Sequence, residues 1–226
     1  IRVPPNTWHG LRAVGDQPCI IKETIAGPYD SSTLKWASFA PSEADGSATG
    51  FDWYDKLAQF CDSQSILPPE DEVFEKVTDS VFRSNRQITT VSLEQLNPII
   101  KAAQVSTLKR ARLCCHSGSE EKLQEMFIAL APGVDIEESM HLRKDESLTV
   151  VSGTGSYLFP NEDGSLRYKT QLSPISGDHS VNSRIYTRIN RYVPHKIIVD
   201  SSTLLIHEAT TGPFDRADTE YRISGV

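Results

Sequence analysis

Residues 133–153 read GVDIEESMHLRKDESLTVVSG, and the spacing of their residues is the most informative pattern for predicting the architecture. Turn sequences, Pro132-Gly133 at its start and Ser152-Gly153 at its end, bound the residues between them. Five residues separate Gly133 from Ser139-Met140-His141. Four residues separate His141 from Glu146, and six separate Glu146 from Gly153. Alternate side chains of a β-strand face the same side, so Ser139 and His141 are expected to share one face.

The sequence around this stretch predicts an all-β domain. Seven apolar or β-branched segments are predicted as strands, at residues 126–131, 147–151, 155–159, 167–172, 184–189, 196–199 and 203–207. Asn161-Glu162-Asp163-Gly164 predicts a hairpin turn, because residues that tolerate positive φ stand there. Many short strands at this spacing are typical of a sandwich or barrel.

Composition and charge exclude two classes of function. The chain has 226 residues and a formal net charge of −7 without a run of Lys or Arg, which is unfavourable for binding nucleic acid. No apolar run approaches the roughly 18–20 residues that span a membrane. Four cysteines, Cys19, Cys61, Cys114 and Cys115, form no C-x-x-C pair. With no signal sequence at the start, we interpret them as free thiols of a cytoplasmic protein.

Three segments are predicted along the chain. Residues 1–50 have the strand and turn pattern of the end of a β domain. Residues 51–105 are predicted as a helical connector, because apolar residues at 53–61 and 73–82 fall on helical faces and a third short helix begins near Ser92. Residues 106–226 form the β domain.

The two ends of the chain resemble each other. His9 is followed by Ile20-Ile21-Lys22-Glu23 and Gly27-Pro28-Tyr29-Asp30. His195 is followed in the same way by Leu205-Ile206-His207-Glu208 and Gly212-Pro213-Phe214-Asp215. The spacing from His to Gly is 18 in the first copy and 17 in the second, and we interpret the pair as an internal repeat. The first copy would be completed by upstream residues or by another chain.

The pattern of residues 133–153 resembles the first motif of the cupin family, in which Gly, His-x-His, Glu and Gly occur at these spacings. The resemblance implies a double-stranded β-helix, the jelly-roll barrel of that family, with a partial second cupin at the N-terminus. The second cupin motif, a Pro-x-Gly-x-x-His turn, is similar to the segment from Pro4 to His9. Near the C-terminus only the histidine of this motif is present, as His195.

This resemblance implies a metal site inside the barrel. His141, Glu146 and His195 would be the ligands of a divalent ion such as Mn, Fe, Ni or Zn, in the 2-His-1-carboxylate pattern. Ser139 stands where the family has its first His, and it is a poor ligand, so affinity should fall. By alternation Glu137 shares the face of Ser139 and is expected to compensate.

A wider similarity covers about residues 90–218. The segment from Gln124 to Ser147, with Arg110-Ala111-Arg112 before it and Gly212-Pro213-Phe214-Asp215 after it, is similar to small cupin-fold metalloproteins encoded with lipopolysaccharide O-antigen and capsule genes. Residues 3–10 are similar to sugar-nucleotide 3,5-epimerases of the cupin family. The resemblance implies a homodimer in polysaccharide or sugar-nucleotide metabolism. The acidic charge and the lack of a long apolar run predict no nucleic-acid or membrane partner.

Two functions stay open at this point. One is a metal-dependent, isomerase- or epimerase-like enzyme in which Tyr157, Arg184 and Tyr186 face the barrel lumen and hold a sugar or sugar nucleotide. The other is a non-catalytic, metal-free cupin that acts as a binding or assembly module. The serine at position 139 favours the second.

Overall fold

The computed structural model describes residues 21–25, 74–175 and 183–222. Residues 74–222 lie in one compact unit and residues 21–25 in another. Most of the segment 1–50, predicted as part of a cupin, and the predicted helices before residue 74 lie outside the described residues. The boundaries of the three predicted segments stay a prediction.

The described part of the larger unit is mainly β. Its strands are β1 Glu75–Thr78, β2 Val81–Arg83, β3 Arg110–Cys114, β4 Leu123–Leu130, β5 Glu138–His141, β6 Glu146–Ser152, β7 Gly155–Pro160, β8 Leu166–Leu172, β9 Ser183–Arg184, β10 Tyr186–Ile189, β11 Lys196–Val199, β12 Leu204–Thr211 and β13 Thr219–Arg222. Helix α1 spans Asn97–Val105, and 3-10 turns occupy Glu94–Leu96 and Arg216–Asp218. The seven predicted strands are therefore present with ends shifted by a few residues, and the one predicted at 184–189 is split into β9 and β10.

Three sheets organise these strands. A seven-stranded sheet has the order β1-β2-β3-β4-β12-β6-β10, a four-stranded sheet the order β11-β7-β8-β9, and β13 pairs with β5. The hairpin between β7 and β8 turns at the predicted tetrapeptide, where Gly164 has a φ of 82°. Such non-sequential pairing of short strands agrees with a cupin-like β fold.

The main core lies between the two larger sheets. Leu148, Val150 and Ile206 from the seven-stranded sheet pack with Tyr157 and Leu172 from the four-stranded sheet. These residues alternate along their strands with residues of the opposite face, as expected for a sheet with one face turned to a core. The face that bears Leu148 is called the inner face below.

Helix α1 covers the opposite, outer face of the seven-stranded sheet. Its Ile99 and Ala103 pack on Leu113 of β3 and Leu205 of β12, and all four are buried. The helix begins close to the predicted start: the backbone N–H of Ser92 donates to the side chain of Gln95, and that of Gln95 donates to the Ser92 hydroxyl. This reciprocal pair holds the 3-10 turn Glu94–Leu96, which leads into the helix at Asn97.

The expectation of a helix over residues 73–82 is wrong for residues 74–82, which the structure describes. These residues form the hairpin of β1 and β2, and β2 pairs in parallel with β3, so that Phe82 stands beside Leu113. Short apolar runs fit the period of a helix as well as that of a strand, and pairing with a neighbouring strand determines which one forms.

Two smaller expectations bear on the described residues. Cys114 is a free and buried thiol, as predicted, and Cys115 is buried as well, whereas Cys19 and Cys61 lie outside the described residues. Within the described ranges, no helix is long and apolar enough to cross a membrane.

Candidate metal centre

Two strands and the residue before a third bring His141, Glu146 and His195 together. His141 ends β5, Glu146 begins β6, and His195 directly precedes β11. Nε2 of His141 lies 3.0 Å from Oε2 of Glu146, and Nε2 of His195 lies 3.2 Å from Oε1 of the same carboxylate. One ligand atom from each of the three residues lies within 4.8 Å of the others. The predicted ligands thus form a single cluster.

Both histidines present the same nitrogen to this cluster. Nδ1 of His195 lies 2.9 Å from the carbonyl oxygen of Val193, which can only accept, so Nδ1 carries the hydrogen. Nδ1 of His141 lies 3.2 Å from Oγ1 of Thr219. Each Nε2 is left facing Glu146. A hydrogen bond on the second nitrogen is the usual support of a metal-ligating histidine, because it fixes the tautomer and the ring plane.

Glu146 is the centre of the cluster and is only 7% exposed. The phenol of Tyr157 donates to its Oε1 over 3.4 Å. Burial acts to raise the pKa of Glu146, but the hydrogen bond from His141 and the charges of His195 and His141 outweigh it and hold the pKa below its ordinary value. The carboxylate is therefore ionised and is available as an oxygen ligand.

The loop between His141 and Glu146 is held by ion pairs. Asp145 accepts from the guanidinium of Arg188 over 3.1 Å and from the backbone N–H of Arg191 over 3.0 Å. The Arg191 hydrogen bond is the main reason that the pKa of Asp145 is lowered. Arg143, in the same loop, pairs with Asp218 over 3.2 Å. These contacts fix the short connection that sets the distance between the two ligands.

Ser139 faces the same cluster. It forms a bridge with His195, in which the Ser139 N–H donates to the His195 carbonyl over 3.0 Å and the His195 N–H donates to the Ser139 carbonyl over 2.9 Å. Residues paired in this way have side chains on one face, and alternation puts His141 on that face too. The serine thus occupies the place of a fourth ligand. Glu137 is exposed, precedes β5 and is not part of the cluster.

The donor set fits a divalent metal. Ligand atoms about 2.1 Å from an ion, at tetrahedral or octahedral angles, are about 3.0–3.4 Å from one another. The two Nε2–carboxylate distances, to different oxygens of Glu146, are 3.0 and 3.2 Å, and one ligand atom from each residue lies within 4.8 Å of the others. Two neutral imidazoles and one carboxylate suit Zn, Fe, Mn or Ni better than Ca or Mg. His141, Glu146 and His195 would hold the ion.

A second carboxyl lies on the inner face near the cluster, and the sequence analysis did not select it. Glu208 of β12 is the cross-strand partner of Leu148, one alternation step from Glu146. Burial, and then the charge of Glu146, raises the pKa of Glu208 to about 8. The available signal was the internal repeat, in which the apolar strand of each copy ends in a glutamate, Glu23 and Glu208.

The predicted substrate-binding residues are not brought together. Tyr157 is 3% exposed and contacts both Glu146 and the edge of the His195 ring. Tyr186 is 42% exposed and pairs with Thr149, so it lies on the opposite face of β10 and β6 from Glu146. Arg184 is exposed at the end of β9 and donates to the carbonyl of Ser183. Of the three, only Tyr157 adjoins the cluster.

The chain matches a sequence family of unknown function. Residues 91–172 match the family described as domain of unknown function DUF6016. The matched stretch contains His141 and Glu146 and ends before His195. A comparison with curated proteins finds no match.

Solved structures similar to the chain include cupin-fold proteins. A protein from Acidithiobacillus ferrooxidans, provisionally assigned as a sugar phosphate isomerase, is 20% identical over 41% of this chain and 51% of its own, with a TM-score of 0.32. The capsular polysaccharide assembling protein CapF from Staphylococcus aureus is 19% identical over 45% and 27%, with a TM-score of 0.37. Oxalate decarboxylase from Bacillus subtilis is 18% identical over 45% and 24%, with a TM-score of 0.36. The chain thus spans about half the length of the first of these proteins.

Proposed function

We propose that this chain is a cupin-type protein of polysaccharide or sugar-nucleotide metabolism that binds a divalent metal through His141, Glu146 and His195. The observation that carries the proposal is the convergence of His195 with His141 and Glu146, which lie far from it in sequence, with the three ligand atoms within 4.8 Å of one another. A buried carboxylate between two histidines is costly without a function or a counter-ion.

The proposed activity is isomerisation or epimerisation of a sugar. When bound, the metal would supply a Lewis acid that polarises a carbonyl or hydroxyl oxygen next to the reacting carbon. Val193 orients His195, Tyr157 steadies the carboxylate of Glu146, and Glu208 is a protonatable group on the same face of the sheet. Three protein ligands leave coordination positions open, which suits neighbouring oxygens of a sugar. The sugar class itself rests on the sequence resemblance.

A second candidate function is a metal-free binding or assembly module. Ser139 in the place of a histidine supports it, and so does the hydrogen bonding of Glu146. Both oxygens of that carboxylate already have partners, in His141, His195 and Tyr157. A network satisfied in this way is stable without an ion.

Metal titration separates the two functions. Chelator-treated protein is titrated with Zn²⁺ and with Mn²⁺ by calorimetry, beside the variants His141→Ala and His195→Ala. We expect one ion per chain in the parent and an affinity at least a hundredfold lower in both variants. His207→Ala is the matched control, because His207 lies on the outer face of β12 near Glu125. No binding by the parent, or equal binding by all variants, would leave the metal-free module as the function.

The proposed assembly is a homodimer. This part of the proposal rests on the resemblance to cupins, and light scattering of the purified chain tests it directly. A mass of one chain at all concentrations would contradict it.

A further inference from the structure

The inner face of the seven-stranded sheet continues from the candidate metal centre to β3 and β2. Across the strands, Glu208 of β12 stands beside Met126 of β4, and Met126 beside Cys114 of β3. Cys114 in turn stands beside Arg83 of β2. Since paired residues share a face, these four side chains form one row on the side of the sheet that bears Glu146.

A second basic residue borders this row. Arg112 is two positions before Cys114 on β3 and pairs with Ile128 of β4. Alternation therefore puts its side chain on the inner face as well. The charges of Arg112 and Arg83 both act on the thiol of Cys114, and that of Arg112 also acts on Glu208. The two guanidinium groups thus flank one short stretch of the sheet.

Neither arginine has an ion-pair partner among the described residues. Arg143, Arg188 and Arg191 each pair with an aspartate, whereas no such pair within 4.0 Å joins Arg83 or Arg112 to a carboxylate in residues 74–175 and 183–222. Nε of Arg83 is also buried without a hydrogen-bond partner in this part of the chain. A buried N–H donor left without an acceptor is costly, and it marks a place where an anion would be stabilised.

Glu75 of β1 is the cross-strand partner of Arg83, but its carboxylate accepts from the side-chain amide of Asn85 and forms no ion pair within 4.0 Å with Arg83 in the described residues. The neighbouring groups on β3 and β4 are not anions. Burial raises the pKa of the Cys114 thiol, so it stays neutral near pH 7. Met126 and Ile128, between the arginines and Glu208, are apolar and half-buried. The patch therefore combines two cations with an apolar floor.

The separation from the metal centre suits a small elongated ligand. Arg112 lies three strands from Glu146 in the sheet order β3-β4-β12-β6. Through Ile128 and Ile206, Arg112 is in register with Val150 of β6, which is four residues from Glu146. Three steps of about 4.8 Å across the sheet and four residues of about 3.3 Å along β6 put the two backbones roughly 20 Å apart, and both side chains extend over the same face. A ligand that reaches both must span several bonds between its anionic group and its metal-binding oxygens.

We infer that Arg83 and Arg112 form an anion subsite for the phosphate or diphosphate of a sugar ligand whose oxygens reach the His141–Glu146–His195 cluster. The forked guanidinium matches the oxygens of a phosphate in geometry and charge. The second part of this inference rests on the proposed function, whereas the subsite itself does not.

Binding of inorganic pyrophosphate to the metal-free chain tests the subsite. Calorimetric titration with pyrophosphate should show saturable binding to the parent and at least tenfold weaker binding to Arg112→Gln. Arg110→Gln is the matched control, because Arg110 is exposed and lies two positions away on the same strand and face. Arg112 is itself exposed, so its variant should fold. The double variant Arg83→Gln/Arg112→Gln should bind no pyrophosphate.

Three outcomes would overturn the subsite. These are no saturable binding by the parent, unchanged binding by Arg112→Gln, or an equal loss in Arg110→Gln, which would mean diffuse attraction to surface charge. Because the titration uses the metal-free chain, its result does not depend on whether the cluster holds a metal, and this separates the test from that of the proposed function. Glucose 1-phosphate should then compete with pyrophosphate, and neutral glucose should not.

Discussion

Replacing Ser139 with histidine should strengthen metal binding. The paired backbones of Ser139 and His195 put their Cα atoms about 5.5 Å apart with both side chains on one face. An imidazole at position 139 can therefore reach the space between His141, Glu146 and His195. Ser139 is half-buried, so the larger ring has room at the edge of the site.

The size of the gain follows from the number of ligands. Four-ligand zinc peptides bind with about 10–16 kcal/mol, which is roughly 3 kcal/mol per ligand. Ordering the new side chain costs about 1 kcal/mol. The net gain of about 2 kcal/mol corresponds to an affinity about thirtyfold higher.

Competition calorimetry with a chelator measures this gain, and Co²⁺ absorption reports the added nitrogen ligand. Met140→His is the matched control, because alternation puts residue 140 on the opposite face of β5, where it pairs with Glu220. It should bind metal like the parent. An affinity of Ser139→His equal to or below that of the parent, with the variant folded, would refute the placement of residue 139 at the site.

Three further changes have defined outcomes. Tyr157→Phe removes the donor to Glu146 and should weaken metal binding about tenfold, whereas calorimetry of Tyr186→Phe should show no change. Glu208 has a folded pKa of about 8, above its ordinary value of 4.5, so its contribution to stability is complete below pH 4.5 and is lost as the pH rises through 8. In urea unfolding of the metal-free protein, the free energy of unfolding should fall by up to about 1.4 kcal/mol per pH unit between pH 4.5 and 8. Glu208→Gln should remove this fall, and the same fall in the variant would contradict the raised pKa. Gly153→Ala puts a Cβ 2.0 Å from a backbone carbonyl oxygen at a φ of +80° and should lower the free energy of unfolding by about 2–3 kcal/mol, whereas full stability would show that the turn relaxes.

The strands of the β domain could be predicted because their signals are local. Alternation, β-branched residues and turn sequences such as the one ending at Gly164 occur within a few residues of each strand. The hairpin at residues 75–83 could not be predicted in the same way. Its apolar residues fit a helical stripe, and only the pairing of β2 with β3 makes them strands.

The candidate ligands could be selected from spacing and resemblance, but their surroundings could not. His141 and Glu146 belong to one local pattern, and His195 to the repeat. The internal repeat marks Glu208 at the end of an apolar strand, but only the register of β12 against β6 places it on the inner face near Glu146, and no local pattern specifies that register. Tyr186 was selected by alternation along its strand, but the sequence does not show which face of that strand is the inner one. A shift of one residue in the register exchanges the two faces.

The most direct test of the metal centre is anomalous diffraction from a crystal of the Zn²⁺-loaded chain. The proposed site predicts one strong peak between Nε2 of His141, Nε2 of His195 and the carboxylate of Glu146, at about 2.0–2.2 Å from each ligand atom. A peak at other residues, or the three side chains hydrogen-bonded to one another with no peak between them, would contradict it.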